Sequence, residues 1–263
     1  MNRNSIKLIS LIWIMSMAGY AIGSDAETAG LKIAMEADIR DTGFQDYTAD
    51  VKMTLKNKQG DVSIRNMRYK VLEQQQDGDK SIVIFDTPKD IKGVAALTYS
   101  HKTTPDDQWL YIPELKRTKR IATVNKSGPF MGSEFAYEDI SSEEVEKYNY
   151  KYIKDGTHNG EACFIVERYP VDPYSGYSKQ IVWYDKSEYR IQKIEYYDRK
   201  NSLLKVRNNH DYRKYAGKYW RPDKSSMENL QTGKSTDIEW RSYKFRQGLN
   251  DNQFSVSGLK RLR

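Results

Sequence analysis

Few residues in this chain are spaced for bond-making chemistry. The three histidines, His101, His158 and His210, are far apart in sequence. A zinc site built on them would need all three to converge, with carboxylate help. Turn and strand-end positions account for them more simply. The single cysteine, Cys163, lies in the apolar run ACFIV, where a small buried hydrophobe is the expected role. One cysteine excludes an internal disulfide framework and a cysteine-based zinc cage. Gly233-Lys234-Ser235 imitates the end of a phosphate-binding loop, but Glu228 stands where that motif needs its first glycine. The chain has no G-x-S-x-G elbow and no H-E-x-x-H pair. Carboxylates are plentiful, and a glycosidase would need only two of them, set by the fold. No metal or cofactor site and no catalytic residue is expected.

Two other patterns suit contact better than catalysis. Lys116-Arg117-Thr118-Lys119-Arg120 puts charge on both faces of an extended segment, which therefore belongs at a sheet edge or rim. It serves either as a solvated edge that resists aggregation or as a dock for anionic lipid headgroups or an acidic partner. The stretch NKSGPFMG, Asn125 to Gly132, carries Phe130 and Met131 between two glycines. These apolar side chains must rest on something apolar, either as a mobile gate over residues 125–140 or as a plug fixed in the core.

The elements around these segments are mostly strands. Leu31, Met35 and Ile39 recur at helical spacing before Gly43, predicting an opening helix. The period then changes to two at Tyr47, Ala49, Val51, Met53 and Leu55. Turn signals follow at short intervals, with Asn159-Gly160 as a two-residue hairpin turn. They divide the rest into an antiparallel meander with no linker. Ser141 and Glu144 form a capping box and predict a short helix. With 20 Tyr, 5 Trp and 7 Phe the chain has ample surface to bury, and 16 Gly with 7 Pro exclude collagen-like classes.

Residues 1–23 read as an export signal. Arg3 and Lys7 precede an apolar run from Leu8 to Met17, and Ala21 and Gly23 stand before Ser24. The rest, 24–263, reads as one domain, a soluble monomer outside the cytoplasm. The net charge of +7 comes from 43 basic and 36 acidic residues. Because they are intermixed in an exported chain, nucleic acid is not the expected partner.

The segments GVAALTYSHK (93–102) and DDQWLYIPELKRTKRIATVNKSGPFMGSEFAYEDI (106–140) strongly resemble LolA-like outer-membrane lipoprotein-sorting proteins, in the branch often encoded beside RND-type exporters. WYDKSEYRIQKIEYYD (183–198), RKYAGKYWRPDKSSMENLQTGKST (213–236) and the closing DNQFSVSGLKR (251–261) carry the resemblance across nearly the whole mature chain. It implies a mainly β fold: an incomplete, strongly curved antiparallel barrel with an N-terminal helix and short lid helices. It further implies a periplasmic carrier, without covalent chemistry or cofactor, that hides the acyl chains of lipids or lipoproteins between an inner-membrane exporter and the outer membrane. Each buried CH₂ contributes ~0.8 kcal/mol, so an exposed acyl chain needs such cover. A lipid sensor signalling to a membrane partner and an envelope hydrolase stand as alternatives.

Strand parity and the apolar loop nominate Met53, Leu55, Leu97, Tyr99, Trp109, Tyr111, Phe130, Met131 and Phe135 as cavity lining. Which parity faces the cavity is left open by the alternation itself. Lys116, Arg117, Lys119 and Arg120 are the expected docking residues for an anionic membrane or an RND-type transporter.

Overall fold

The protein is described by a computed structural model over residues 24–262; the expected export signal lies outside these described residues. Ser24 and Glu27 cap the opening helix α1 (Asp25–Asp41) reciprocally. The Ser24 N–H donates to the Glu27 carboxylate at 2.9 Å, and the Glu27 N–H donates to the Ser24 hydroxyl at 3.3 Å.

The helix is where the periodicity predicts it, but its apolar stripe faces the other way. Leu31, Met35 and Ile39 are 41%, 46% and 60% exposed, while Gly30, Ile33 and Ala34 are buried. The reason is the closeness of the packing. A Cβ on Gly30 would lie 2.7 Å from the Tyr152 backbone nitrogen and 2.9 Å from the Lys151 backbone. Only a face of small residues lets the helix approach a strand that closely.

Among the described residues, thirteen antiparallel strands form one sheet that does not close. From β1 (Asp46–Lys56) the chain meanders outward through β2 (Val62–Leu72), β3 (Lys80–Thr87), β4 (Ala95–Tyr99) and β5 (Asp107–Ile112) to the edge strand β6 (Arg117–Ile121). A crossing segment, residues 122–147, then carries it to the opposite edge, β7 (Tyr148–His158). From there β8 (Glu161–Pro170), β9 (Tyr177–Asp185), β10 (Ile191–Asp198), β11 (Leu203–Tyr215), β12 (Tyr219–Asn229) and β13 (Lys234–Phe245) meander back until β13 pairs with β1. That seam sets Met53 opposite Ile238 and Val51 opposite Trp240. The fold is thus the incomplete antiparallel barrel that the resemblance implies.

Local chemistry sets the turns. Asn159 and Gly160 both adopt positive φ, 49° and 86°, the conformation that joins β7 to β8 in a two-residue turn. Gly233-Lys234-Ser235 lies at the β12–β13 hairpin, not between a strand and a helix. The helix expected at Ser141–Glu144 does not form. Instead the crossing segment makes short 3-10 turns at Tyr137–Ile140 and Val145–Lys147, because the Glu143 side chain turns inward to Arg168.

The sheet is buried on both faces along β3 and β4. Val83, Phe85, Val94 and Ala96 belong to the core inside the curl. Ile82, Ile84, Ala95 and Leu97 pack beneath Phe254 and Leu259 of the C-terminal segment on the outside. Such strands read as continuous apolar runs rather than alternating ones. Among the described residues, no helix is long and apolar enough to cross a membrane.

Candidate functional site

The curled sheet, α1 and the crossing segment enclose a cavity of about 890 Å³, within the ~300–1,000 Å³ usual for ligand pockets. Its floor follows from strand parity on β1, β2, β3 and β13. Val51, Met53, Met67, Val83 and Ile238 all turn inward and join one core cluster. Phe44 and Tyr47 extend the wall with aromatic rings, backed by Tyr219 and Phe245 in a separate cluster. Methionine and tyrosine provide soft, adaptable lining of the kind that accepts flexible chains.

Helix α1 forms the lid. Ala34 and Ala37 look into the cavity, and the C-terminal end of the helix is tied to the rim. Arg40 bonds to Glu36 and to the β9–β10 turn at Ser187 and Glu188, and lies over the Tyr189 ring. Asp41 pairs with Arg221, whose guanidinium lies over Phe44 and Tyr47. Lys218 donates to the Thr42 carbonyl at 2.7 Å. These ties are mostly exposed and contribute little each.

The crossing segment is held from inside. Lys205 donates to Asp139 and to the Glu134 carbonyl, both at 2.7 Å. The Tyr177 hydroxyl also donates to Asp139, at 2.8 Å. Asn229 donates to the Glu134 carboxylate at 2.7 Å, and Gln108 to the Tyr137 carbonyl at 2.9 Å. Burial and the neighbouring Asp139 push the Glu138 carboxyl up, against donated bonds from Ser175 and Gly176. Next along the segment, Glu143 accepts from Arg168 at 2.7 Å and from Arg207 at 3.1 Å. Burial alone would raise its carboxyl, but the two guanidinium charges and their hydrogen bonds outweigh that and hold it below the usual range.

Of the nine nominated lining residues, the structure brings only part together. Met53, Phe130 and Phe135 face the cavity, and Leu55 and Met131 pack at the margin of the same core. Leu97, Tyr99, Trp109 and Tyr111 do not belong to it. They lie on the outer face, in the cluster beneath Phe254 and Leu259, where the Tyr99 hydroxyl donates to the Phe254 carbonyl. The correction is one of parity: the C-terminal segment covers the face that their side chains share. Phe130 is 1% exposed, against Phe85 and Tyr137, the position of a plug. Lys116, Arg117, Lys119 and Arg120 are exposed on and beside the edge strand β6. Arg120 pairs with Asp107.

The charged residues inside the cavity were not foreseen. Arg168, Arg207 and Glu143 sit at strand or loop positions where charged side chains are expected to point into water. On β11 the apolar Leu204 and Val206 alternate with Lys205 and Arg207, and the cations take the inner face. Nothing in that alternation marks the choice. Cys163 is fully buried, and burial pushes its thiol up to about 11, an inert setting.

The fold is an open antiparallel barrel around a lidded cavity, and comparison with known proteins gives its family. A family model described as that of an uncharacterized protein matches residues 77–261. A crystal structure from Vibrio parahaemolyticus, described as an outer membrane lipoprotein-sorting protein domain, is 51% identical, with a TM-score of 0.88 over 89% of this chain and 99% of that one. A DUF1329 family protein from Desulfovibrio piger is 28% identical, with a TM-score of 0.85 over 90% of this chain and 100% of that one. A LolA superfamily protein from Nitrosomonas europaea shares the fold at 20% identity and a TM-score of 0.70, over 87% of this chain and 98% of that one. No curated protein matches. The chain belongs to the family of the Vibrio parahaemolyticus outer membrane lipoprotein-sorting domain, and its fold is the one the LolA superfamily protein has.

Proposed function

We propose that this protein is a periplasmic carrier that holds the acyl chains of lipids or lipoproteins in its cavity and moves them from an inner-membrane exporter toward the outer membrane. The observation that carries the reading is the cavity of about 890 Å³, floored by Val51, Met53, Met67, Val83 and Ile238 and roofed by α1. It is apolar where a chain would lie and ringed by charge at its mouth. The 51% identity to a domain described as lipoprotein-sorting supports the same reading.

Carriage of this kind needs no bond to form or break. Burying a sixteen-carbon chain contributes on the order of 10 kcal/mol, enough to draw it out of water. Release then requires the partner to offer an equally apolar site. The partner fitting this role is an RND-type inner-membrane transporter, with the exposed basic strand β6 as a dock for it or for an anionic membrane. The protein acts as a monomer in this reading.

The test is the ligand itself. The processed protein, purified from periplasm without detergent and analysed by native mass spectrometry, should carry an acyl lipid or a lipoprotein at near-unit occupancy. Protein that emerges empty, and that also fails to take up added lipid, would refute the proposal.

A further inference from the structure

One strand of the cavity wall is out of character with the rest. β11 turns Lys205, Arg207 and Asn209 inward, and Asp211, at φ 53°, shifts the parity so that Tyr212 and Lys214 continue on the same side. A polar stripe therefore runs from deep in the barrel to its mouth.

The charges along this stripe do not cancel. Lys205 is matched by Asp139 at 2.7 Å. Farther up, Arg168 and Arg207 share a single carboxylate, Glu143. That cluster keeps one positive charge in excess, although the Arg168 side chain is 3% exposed and that of Arg207 16%. Asp185 pairs with Arg190. Of the other carboxylates that line the cavity, Asp41 pairs with Arg221 and Glu188 with Arg40, while Asp38, Glu73, Asp79 and Glu144 make no ion pair with Arg168 or Arg207. Burial pushes the phenols of Tyr184, Tyr196 and Tyr212 up, so they supply no negative charge near neutral pH. An unmatched charge held out of water is costly, and an anion bound there would complete the cluster. Arg207 lines the cavity beside it, and a guanidinium suits a carboxylate or phosphate.

We infer that the cargo is an acidic amphiphile, whose carboxylate or phosphate headgroup meets Arg207 while its chain lies over Met53, Met67 and Val83. This rests on the carrier reading and narrows it to a class of ligand. Lys214, with no carboxylate partner in the described residues' ion pairs and placed at the rim, extends the cationic path toward solvent.

The test compares headgroups on one chain length. Delipidated protein is loaded with N-phenyl-1-naphthylamine, an uncharged fluorescent probe, and displaced with palmitate, hexadecyl phosphate or monopalmitin. A charged hydrogen bond in a partly dry site favours the better of the two acids over the neutral lipid by about tenfold or more. Whichever acid displaces more strongly identifies the headgroup as carboxylate or phosphate. Arg207→Gln leaves Arg168 and Glu143 matched one to one, so the fold is kept, as circular dichroism will show. In this variant the preference for acid should vanish with monopalmitin displacement unchanged, and Arg207→Lys should restore most of it. Equal displacement by acid and neutral lipid in the native protein would overturn the inference, as would a preference that survives Arg207→Gln. If neither the probe nor any lipid binds, the carrier reading itself fails.

Discussion

Replacing Phe130 by alanine separates a fixed plug from a moving gate. The ring is 1% exposed and lies 5.9 Å from the Phe85 centroid and 5.4 Å from that of Tyr137. Its backbone is fastened as well: the Phe130 N–H donates to the Phe135 carbonyl at 2.7 Å, and the Ser133 hydroxyl donates to the Phe130 carbonyl at 2.7 Å. The flanking residues are pinned by Lys205 and Asn229, so the space left by the ring cannot collapse. Truncation of such a phenylalanine costs ~3–5 kcal/mol. In a domain of this size each kcal/mol lowers Tm by ~2–4 °C, giving a drop of roughly 6–20 °C. Met131 supplies the control. It is only partly buried and holds φ at 50°, so Met131→Ala should cost under ~1.5 kcal/mol by lost apolar area. Urea unfolding followed by tryptophan fluorescence measures both variants, alongside the rate of lipid release. If Phe130→Ala stays within ~1 kcal/mol of the native protein while releasing lipid faster, the plug argument is wrong and the segment is a gate.

Three further outcomes follow from the same geometry. Gly30→Leu should push α1 off the β7 backbone, which lies 2.7 Å from where its Cβ must go; overpacking of this kind costs ~1–3 kcal/mol, and an unchanged urea midpoint would contradict it. Burial, reinforced by Glu144, Glu73 and Asp41, raises Asp79 from 3.8 to about 7. The folded state thus binds more protons between those values, so stability is complete below the lower one and falls as pH rises through the upper. Asp79→Asn, able to keep the bond from the Gln74 N–H, should remove that fall, and parallel pH profiles of unfolding from pH 4 to 8 for the two proteins would count against it. Reversing Arg117 and Lys119 to glutamate on the exposed edge should slow association with anionic vesicles and flatten its salt dependence, with unfolding changed by less than ~0.5 kcal/mol; identical association kinetics would leave β6 as a solvated edge only.

Much of the fold was legible because local signals agreed. The alternation from Tyr47 to Leu55 reads as a strand and falls within β1, and Asn159-Gly160 makes the turn its φ preferences require. The alternation of β1 was legible too, with Val51 and Met53 set against Lys52 and Thr54, but only the fold decides that the apolar set turns into the cavity. On β3 and β4 the rule has nothing to act on. Apolar residues occupy both faces because both are covered, one by the cavity core and one by a segment more than a hundred residues away. Placing Leu97, Tyr99, Trp109 and Tyr111 required knowing where Phe254 and Leu259 dock. That is long-range information, which no window of the sequence contains.

The helix and β11 fail the apolar-inside rule for a shared reason. An apolar residue is drawn from water, but what it meets depends on the space between elements. Where α1 crosses β7, that space admits Gly30, Ala34 and Ala37 but not Leu31 or Met35, which are left on the surface. Where β11 faces the cavity, the opposing segment brings Asp139 and Glu143 inward, and Lys205 and Arg207 answer them. A carboxylate brought inside must be matched there, and on β11 the inward positions are taken by Lys205 and Arg207, with Val206 between them turned the other way by alternation. The crossing segment therefore does two things at once. It spans the gap between β6 and β7 that keeps the barrel open, and it determines which side of β11 lines the cavity. The resulting wall is apolar at β1 to β3 and charged at β11, an asymmetry suited to a ligand with one apolar part and one ionised part.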